Sequence, residues 1–160
     1  MGAGKSSVGR LVAEQLGFKF VDTDELIETR TGKSISQIFS VDGEPHFRAL
    51  EHQTCVELGS STDLVISTGG GLPTRQANID SLKQHALVIC LWCSAEKIWE
   101  RVRHQSHRPL LQTPDPQARI RELLSSRAPF YRQADILLNT ENRSQRQVVQ
   151  QVVQHFKAAR

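Results

Sequence analysis

The chain begins Met1-Gly2-Ala3-Gly4-Lys5-Ser6-Ser7, and no other stretch limits its architecture as much. These residues match the phosphate-binding pattern G-x-x-x-x-G-K-[ST] from its third position, with Gly4 as the second glycine, Lys5 as the lysine and Ser6 as the hydroxyl. The first glycine of the pattern, and the strand expected to feed such a loop, would lie before Met1. Glycines let successive backbone N–H groups turn inward on an anion. A helix starting near Lys5 adds the positive end of its dipole. Lys5 then reaches the β- and γ-phosphates, and Ser6 offers an oxygen to Mg²⁺. The alternative is a flexible Gly-rich start without a role, and the order of the following elements argues against it.

Val8, Leu11, Val12 and Leu16 recur at helical spacing, and Gly17 stands where that helix should stop. A short strand over 18–21 follows. Helices are predicted over 34–39 and 44–58, the second with Phe47, Leu50, Thr54 and Leu58 along one face. Leu64–Ser67 reads as a buried strand running into Gly69-Gly70-Gly71, then a helix over 76–84 and a strand over 87–91. Ser94 is placed to cap a helix carrying Ile98 and Val102. Residues 104–116 are polar, hold three prolines and read as a loop. A helix over 117–126, a strand over 135–138 and a helix from Ser144, burying Val148, Val149, Val152, Val153 and Phe156, complete the chain. Strands alternating with helices imply an α/β fold with a parallel sheet covered on both faces. Four strands are predicted, and the one that should precede the loop would make five.

At 160 residues the chain suits a single domain spanning 1–160. No apolar run approaches the ~20 residues of a membrane-spanning helix, and no signal-peptide pattern opens the sequence. The net charge of +3 and pI of about 9.0 raise the question of nucleic acid. The basic residues are scattered, however, without a dense stripe or interleaved aromatics. Most of the 20 are Arg, which favours forked contacts to small phosphates and carboxylates. No nucleic-acid or membrane partner is expected. Three cysteines give no disulfide framework, and Cys90-Leu91-Trp92-Cys93 lies at a strand end, where the two thiols point to opposite faces. A reducing, cytoplasmic setting is expected.

Three further groups of residues converge on ligand chemistry. Asp22-Thr23-Asp24 lies just past a strand's C-terminal end, where open α/β sheets bind ligands. One carboxylate can hold Mg²⁺ through water while the other takes a proton from a substrate hydroxyl; alternatively Asp24 simply caps a helix over 25–29. Gly69, Gly70 and Gly71 offer bare backbone N–H groups to a ligand, or merely meet the conformational needs of a loop. Arg48, Arg108 and Arg127 come from one helix, the Pro-rich loop and another helix, and either converge or stay solvated at the surface.

Taken in order, these pieces resemble the shikimate kinase family. The resemblance rests on Gly-Ala-Gly-Lys-Ser-Ser at 2–7, Asp-Thr-Asp at 22–24, Thr-Gly-Lys-Ser-Ile-Ser-Gln-Ile-Phe at 31–39, and Gly43-Glu44 with Phe47-Arg48 and Glu51. Ser-Thr-Gly-Gly-Gly at 67–71, Arg108-Pro109-Leu110-Leu111 and Arg127-Ala128-Pro129-Phe130-Tyr131 complete it. It covers essentially the whole chain. A phosphate loop alone is shared by many families, whereas this ordered set is specific.

The resemblance implies transfer of the ATP γ-phosphoryl group to the 3-hydroxyl of shikimate, with Mg²⁺, by a monomer. It places Gly2, Ala3, Gly4, Lys5, Ser6 and Ser7 around the phosphates, Ser6 and Asp22 at the metal, and Asp24 as the base. Arg48 and Arg127 grip the carboxylate, Gly69 to Gly71 line the same site, and Glu51 orients Arg48. Arg108 meets the transferring group on a lid over about 104–116, Arg101 stacks on adenine with Arg143 nearby, and helices over about 32–60 bind shikimate. The implied fold is a P-loop kinase three-layer sandwich with sheet order 2-3-1-4-5, from which strand 1 is missing here. Unsatisfied buried backbone groups cost roughly 1–3 kcal/mol each, against a total stability of about 5–15 kcal/mol. The chain alone is therefore expected to be unstable or inactive, and the natural protein to start earlier. A related kinase such as a gluconate kinase, and a truncated or non-catalytic shikimate-kinase-like protein, are the other readings.

Overall fold

Apolar residues at helical spacing draw Lys5–Leu16 into the first helix, α1, which buries Val8, Val12 and Ala13 and ends at Gly17 in the left-handed region, φ 69°. Leu11 departs from the expected face and is 37% exposed. The buried side is set by the i, i+4 pair of Val8 and Val12 with the adjacent Ala13, which rotates Leu11 outward. The computed structural model describes residues 2–104 and 113–159.

After α1 come strand β1 (Lys19–Asp22), helix α2 (Thr23–Thr31), one helical turn α3 (Ile35–Gln37), and helix α4 (Glu44–Leu58). Strand β2 (Leu64–Ser67), helix α5 (Gln76–His85), strand β3 (Ile89–Trp92) and helix α6 (Ala95–Val102) follow. Helix α7 (Pro116–Tyr131), strand β4 (Ile136–Asn139) and helix α8 (Gln145–Ala158) complete the order. The predicted helix over 34–39 is thus a single turn in a Ser34/Gln37 capping box, then a wide turn over Ile38–Asp42 closed by Gly43 N–H donating to the Ile38 carbonyl. An i→i+5 bond replaces the i→i+4 ladder there, and Gly43 leaves helical geometry at φ 87°. The predicted helix over 117–126 is longer at both ends and carries Pro129 within it.

The strands form two parallel pairs. Lys19 to Asp22 register with Leu64 to Ser67, and Ile89 to Trp92 with Ile136 to Asn139. Among the described residues no strand joins β2 to β3, so the sheet is two separate halves. Both neighbour pairs occur in the expected sheet order. Helix α1 holds the halves together, because Val8 and Val12 share one apolar cluster with Leu138 of β4 and Val148, Val149 and Val153 of α8. Val65 of β2 and Ile89 and Leu91 of β3 pack against that cluster. A second cluster joins Ile98 and Val102 of α6 to Ile120 of α7. A third joins Ile27, Ile38 and Phe47 and fixes α2 to α4 beside the mouth of the site. Among the described residues no helix is long and apolar enough to cross a membrane.

Candidate active site

The C-terminal ends of β1 and β2 meet the start of α1, and the meeting point is polar. Asp22 ends β1 and caps α2, its Oδ1 accepting from the Asp24 backbone N–H at 3.0 Å. Its Oδ2 accepts from the Ser6 hydroxyl at 2.6 Å, and Ser6 Oγ lies 3.3 Å from Ser67 Oγ at the end of β2. The cap is therefore Asp22, not Asp24, because the helix starts at Thr23, two residues earlier than predicted. Gly4, at φ 87°, precedes α1 and gives its N-terminus no side-chain cap, which leaves first-turn N–H groups for an anion. The hydroxyl of Ser6 and the carboxylate of Asp22 are hard oxygen donors side by side, a set suited to Mg²⁺.

Asp24, freed from capping, turns inward. Its Oδ1 is buried without a hydrogen-bond partner. Burial first, and then the neighbouring Asp22 charge, hold its carboxyl above the ordinary carboxylate range, against the pull of Lys5. A second orphaned oxygen, Glu51 Oε1, lies close by. Both face Gly69, where a Cβ would stand 2.6 Å from Asp24 Oδ1 and 3.0 Å from Glu51 Oε1. Burial also raises Glu51, while Arg48 opposes the shift. Arg48 Nη1 donates to Glu51 Oε2 at 2.6 Å and Nη2 donates to Glu44 Oε1 at 2.8 Å, so its head is aimed by two carboxylates. Burial alone would lower the Arg48 pKa, and these bonds and charges reverse that.

Two residues that the sequence reading gave no role hold the glycine loop. The Thr23 hydroxyl accepts from Gly69 N–H at 3.0 Å, and the Tyr131 hydroxyl donates to the Gly70 carbonyl at 2.6 Å. Tyr131 closes the Arg-Ala-Pro-Phe-Tyr stretch, so a signal for it was present. Its partner is a backbone carbonyl from another element, which no side-chain pattern reveals.

Lys5, Asp24, Arg48, Gly69, Gly71 and Arg127 line one open cleft of about 1010 Å³. Arg101 braces its edge: Nη1 donates to the Gly2 carbonyl at 3.3 Å, and Nη2 donates to the Thr140 carbonyl at 3.1 Å. Arg143 donates to the Asn139 carbonyl and lines an adjoining hollow with Ala3, Gly4, Ser7 and Arg101. Arg108 and most of the expected lid lie outside the described residues. The cleft thus brings the phosphate loop, two arginines and a buried carboxylate to one surface.

Comparison with known proteins agrees with this chemistry. The family model for shikimate kinase matches residues 1–157. A shikimate kinase of Thermodesulfovibrio yellowstonii is 43% identical over 157 residues, covering 98% of this chain and 91% of its own length. One of Halorhodospira halophila is 44% identical over 155 residues, covering 96% of this chain and 88% of its own. Among solved structures, the shikimate kinase from Acinetobacter baumannii in complex with shikimate superposes with a TM-score of 0.95 at 39% identity, over 100% of this chain and 90% of that one. The shikimate kinase from Aquifex aeolicus gives 0.85 at 33%, over 99% and 93%.

Proposed function

The chain belongs to the shikimate kinase family, and we propose that it transfers the γ-phosphoryl group of ATP to the 3-hydroxyl of shikimate, giving shikimate 3-phosphate and ADP. The observation that carries this reading is one cleft lined by both the phosphate loop and the Asp24, Arg48 and Arg127 set. The acceptor carboxylate lies between Arg48 and Arg127, and Glu51 and Glu44 keep the Arg48 fork turned for bidentate contact. The 3-hydroxyl is presented to Asp24, which takes its proton as the hydroxyl oxygen bonds to the γ-phosphorus. The bond from that phosphorus to the β-bridging oxygen breaks, and ADP carries the electron pair away. Lys5 and the backbone N–H groups at the start of α1 hold the phosphates in line. Ser6 and Asp22 would hold Mg²⁺, which when bound neutralises charge on the phosphates. We assign adenine to the hollow beside Arg101 and Arg143, and Arg108 to a lid over about 104–116 that brings positive charge to the γ-phosphate. The acceptor-binding helices span about 32–60, and the whole chain acts as one domain. The setting we assign, a monomer in the reducing cytoplasm, is consistent with the free thiols of Cys55, Cys90 and Cys93.

ADP release measured with shikimate and with gluconate tests the assignment. Release with shikimate alone is expected. Release with gluconate alone, or equal release without any acceptor, overturns it. Arg127→Ala is expected to raise the shikimate KM roughly 10- to 100-fold, as loss of a charge-assisted pair implies, with the ATP KM unchanged. Tyr131→Phe removes the hydroxyl that fixes the Gly70 carbonyl. It is expected to raise the shikimate KM about three- to tenfold by loosening the glycine loop. An unchanged KM would show that Thr23 alone positions this loop.

A further inference from the structure

Helix α4 presents Arg48, Glu51, His52 and Cys55 at i, i+3, i+4 and i+7, one stripe along one face. The first two line the cleft, and the other two meet Asn78 in the first turn of α5. The Arg48 head is aimed by Glu51 and Glu44. All three residues belong to α4, so these bonds fix the head relative to its own helix only. Where it stands against the opposite wall depends on how α4 is held to the chain after the glycine loop. The fit there is close: a Cβ on Gly71 would overlap Arg48 Nη1. Past Gly71 the chain makes a 3-10 turn, Leu72–Thr74. In it Leu72 N–H donates to the Gly69 carbonyl at 3.2 Å and Thr74 N–H to the Gly71 carbonyl at 3.0 Å.

Asn78 joins this turn to α4. It is 1% exposed, although asparagine is a poor helix former and its amide is costly to bury without partners. Its Nδ2 donates to the Leu72 carbonyl at 2.9 Å. A carbonyl only accepts, so this bond fixes the orientation of the amide and turns Oδ1 toward His52. That oxygen lies 2.6 Å from His52 Nδ1, which must therefore carry the hydrogen and donate it. Cys55 Sγ also donates, to the Asn78 backbone carbonyl at 3.7 Å. The donors run one way, from His52 through Asn78 to Leu72, and both ends of the amide are used.

We propose that Asn78, oriented by His52, is a positioning residue for the acceptor end of the cleft. It sets the spacing between α4 and the turn after Gly71, and so where the Arg48 fork meets the acceptor carboxylate. Neither side chain lines the cleft. An apolar side chain of similar size would fill the same space, but apolar burial is not directional, whereas a satisfied polar network holds one geometry. The consequence for substrate affinity rests on the shikimate reading of the cleft; the spacing itself does not.

Three variants test this. His52→Leu keeps the bulk and removes the donor, His52→Asn returns a donor nitrogen at the place of Nδ1, and Asn78→Leu removes both ends of the bridge. Steady-state constants for shikimate and ATP are measured together with amide hydrogen exchange at single residues. His52→Leu is expected to raise the shikimate KM about three- to tenfold, the worth of one hydrogen bond, with kcat and the ATP KM within about twofold. Exchange at Leu72 and Thr74 should quicken by about the same factor, while Val149 and Val153 of α8 do not change. His52→Asn should restore both readouts, and Asn78→Leu should match or exceed the effect of His52→Leu. The proposal is overturned by an unchanged KM in His52→Leu or by a rise that His52→Asn does not reverse. Equal quickening in α8 also overturns it, because that marks general loosening of the fold. Should Asn78→Leu fail to fold, the two His52 variants decide alone. ADP release by the wild type that does not depend on shikimate would sink the substrate reading by itself, and exchange at Leu72 and Thr74 would still decide the spacing.

Discussion

Replacing Asp24 by Asn is expected to lower kcat by about 10²- to 10⁴-fold, the usual worth of a positioned general base. Asparagine keeps the size and the acceptor oxygen of the side chain but cannot take the 3-hydroxyl proton. The structure favours a large effect because Asp24 is not occupied elsewhere: the helix cap is Asp22, and Asp24 Oδ1 has no partner. Lys5, Gly4 and the start of α1 are untouched, so ATP affinity should stay within about twofold. Single-turnover measurement of the chemical step, alongside nucleotide binding by calorimetry, separates the two. Turnover equal to wild type would remove Asp24 from proton transfer and leave it an acceptor-orienting residue.

The second large effect is expected at Arg48, where Met should cost about 3 kcal/mol of stability near neutral pH besides abolishing tight shikimate binding. Glu51 is 1% exposed and its Oε2 depends on Arg48; removing one member of a buried pair strands the other charge. Burial already raises Glu51 with Arg48 in place, and without Arg48 the shift must grow. The sign follows from linkage. A carboxyl whose pKa is higher folded than unfolded favours the folded state at low pH, and that advantage is lost as pH rises through the folded value. The deficit of Arg48→Met should therefore shrink toward pH 5 and widen toward pH 8 in denaturant melts. Adding Glu51→Gln should restore most of the stability and flatten the pH dependence, while shikimate binding stays lost. A deficit independent of pH would mean that lost packing against Phe39 and Phe47, over whose rings Arg48 lies, is the cause.

Helices α1, α4 and α8 were legible from their apolar spacing, helped by the Gly17 stop of α1 and the Ser144 cap of α8. The strands were legible as apolar runs; Leu64–Ser67 was read at its bounds and the other three were shifted by one or two residues, since a four-residue strand has little pattern to locate its ends. Asp22 and Asp24 were both read as carboxylates past a strand end, and both line the cleft. Which one caps α2 depends on where β1 stops, and that is settled by pairing with β2, far away in sequence. The same distance hid Tyr131 and Thr23, which grip backbone atoms. Arg101 was expected against adenine, and its tie to Gly2 and Thr140 depends on loop geometry that residue types do not encode.

Gly69 and Gly4 look interchangeable in the sequence, yet they differ in what limits them. At Gly4 a side chain would meet open space and only the backbone angle resists. At Gly69 the first carbon of any side chain would press on Asp24 and Glu51 together. Random codon changes at 69 should therefore be purged through lost turnover in chains that still fold, so that neutral drift at this position is confined to silent changes.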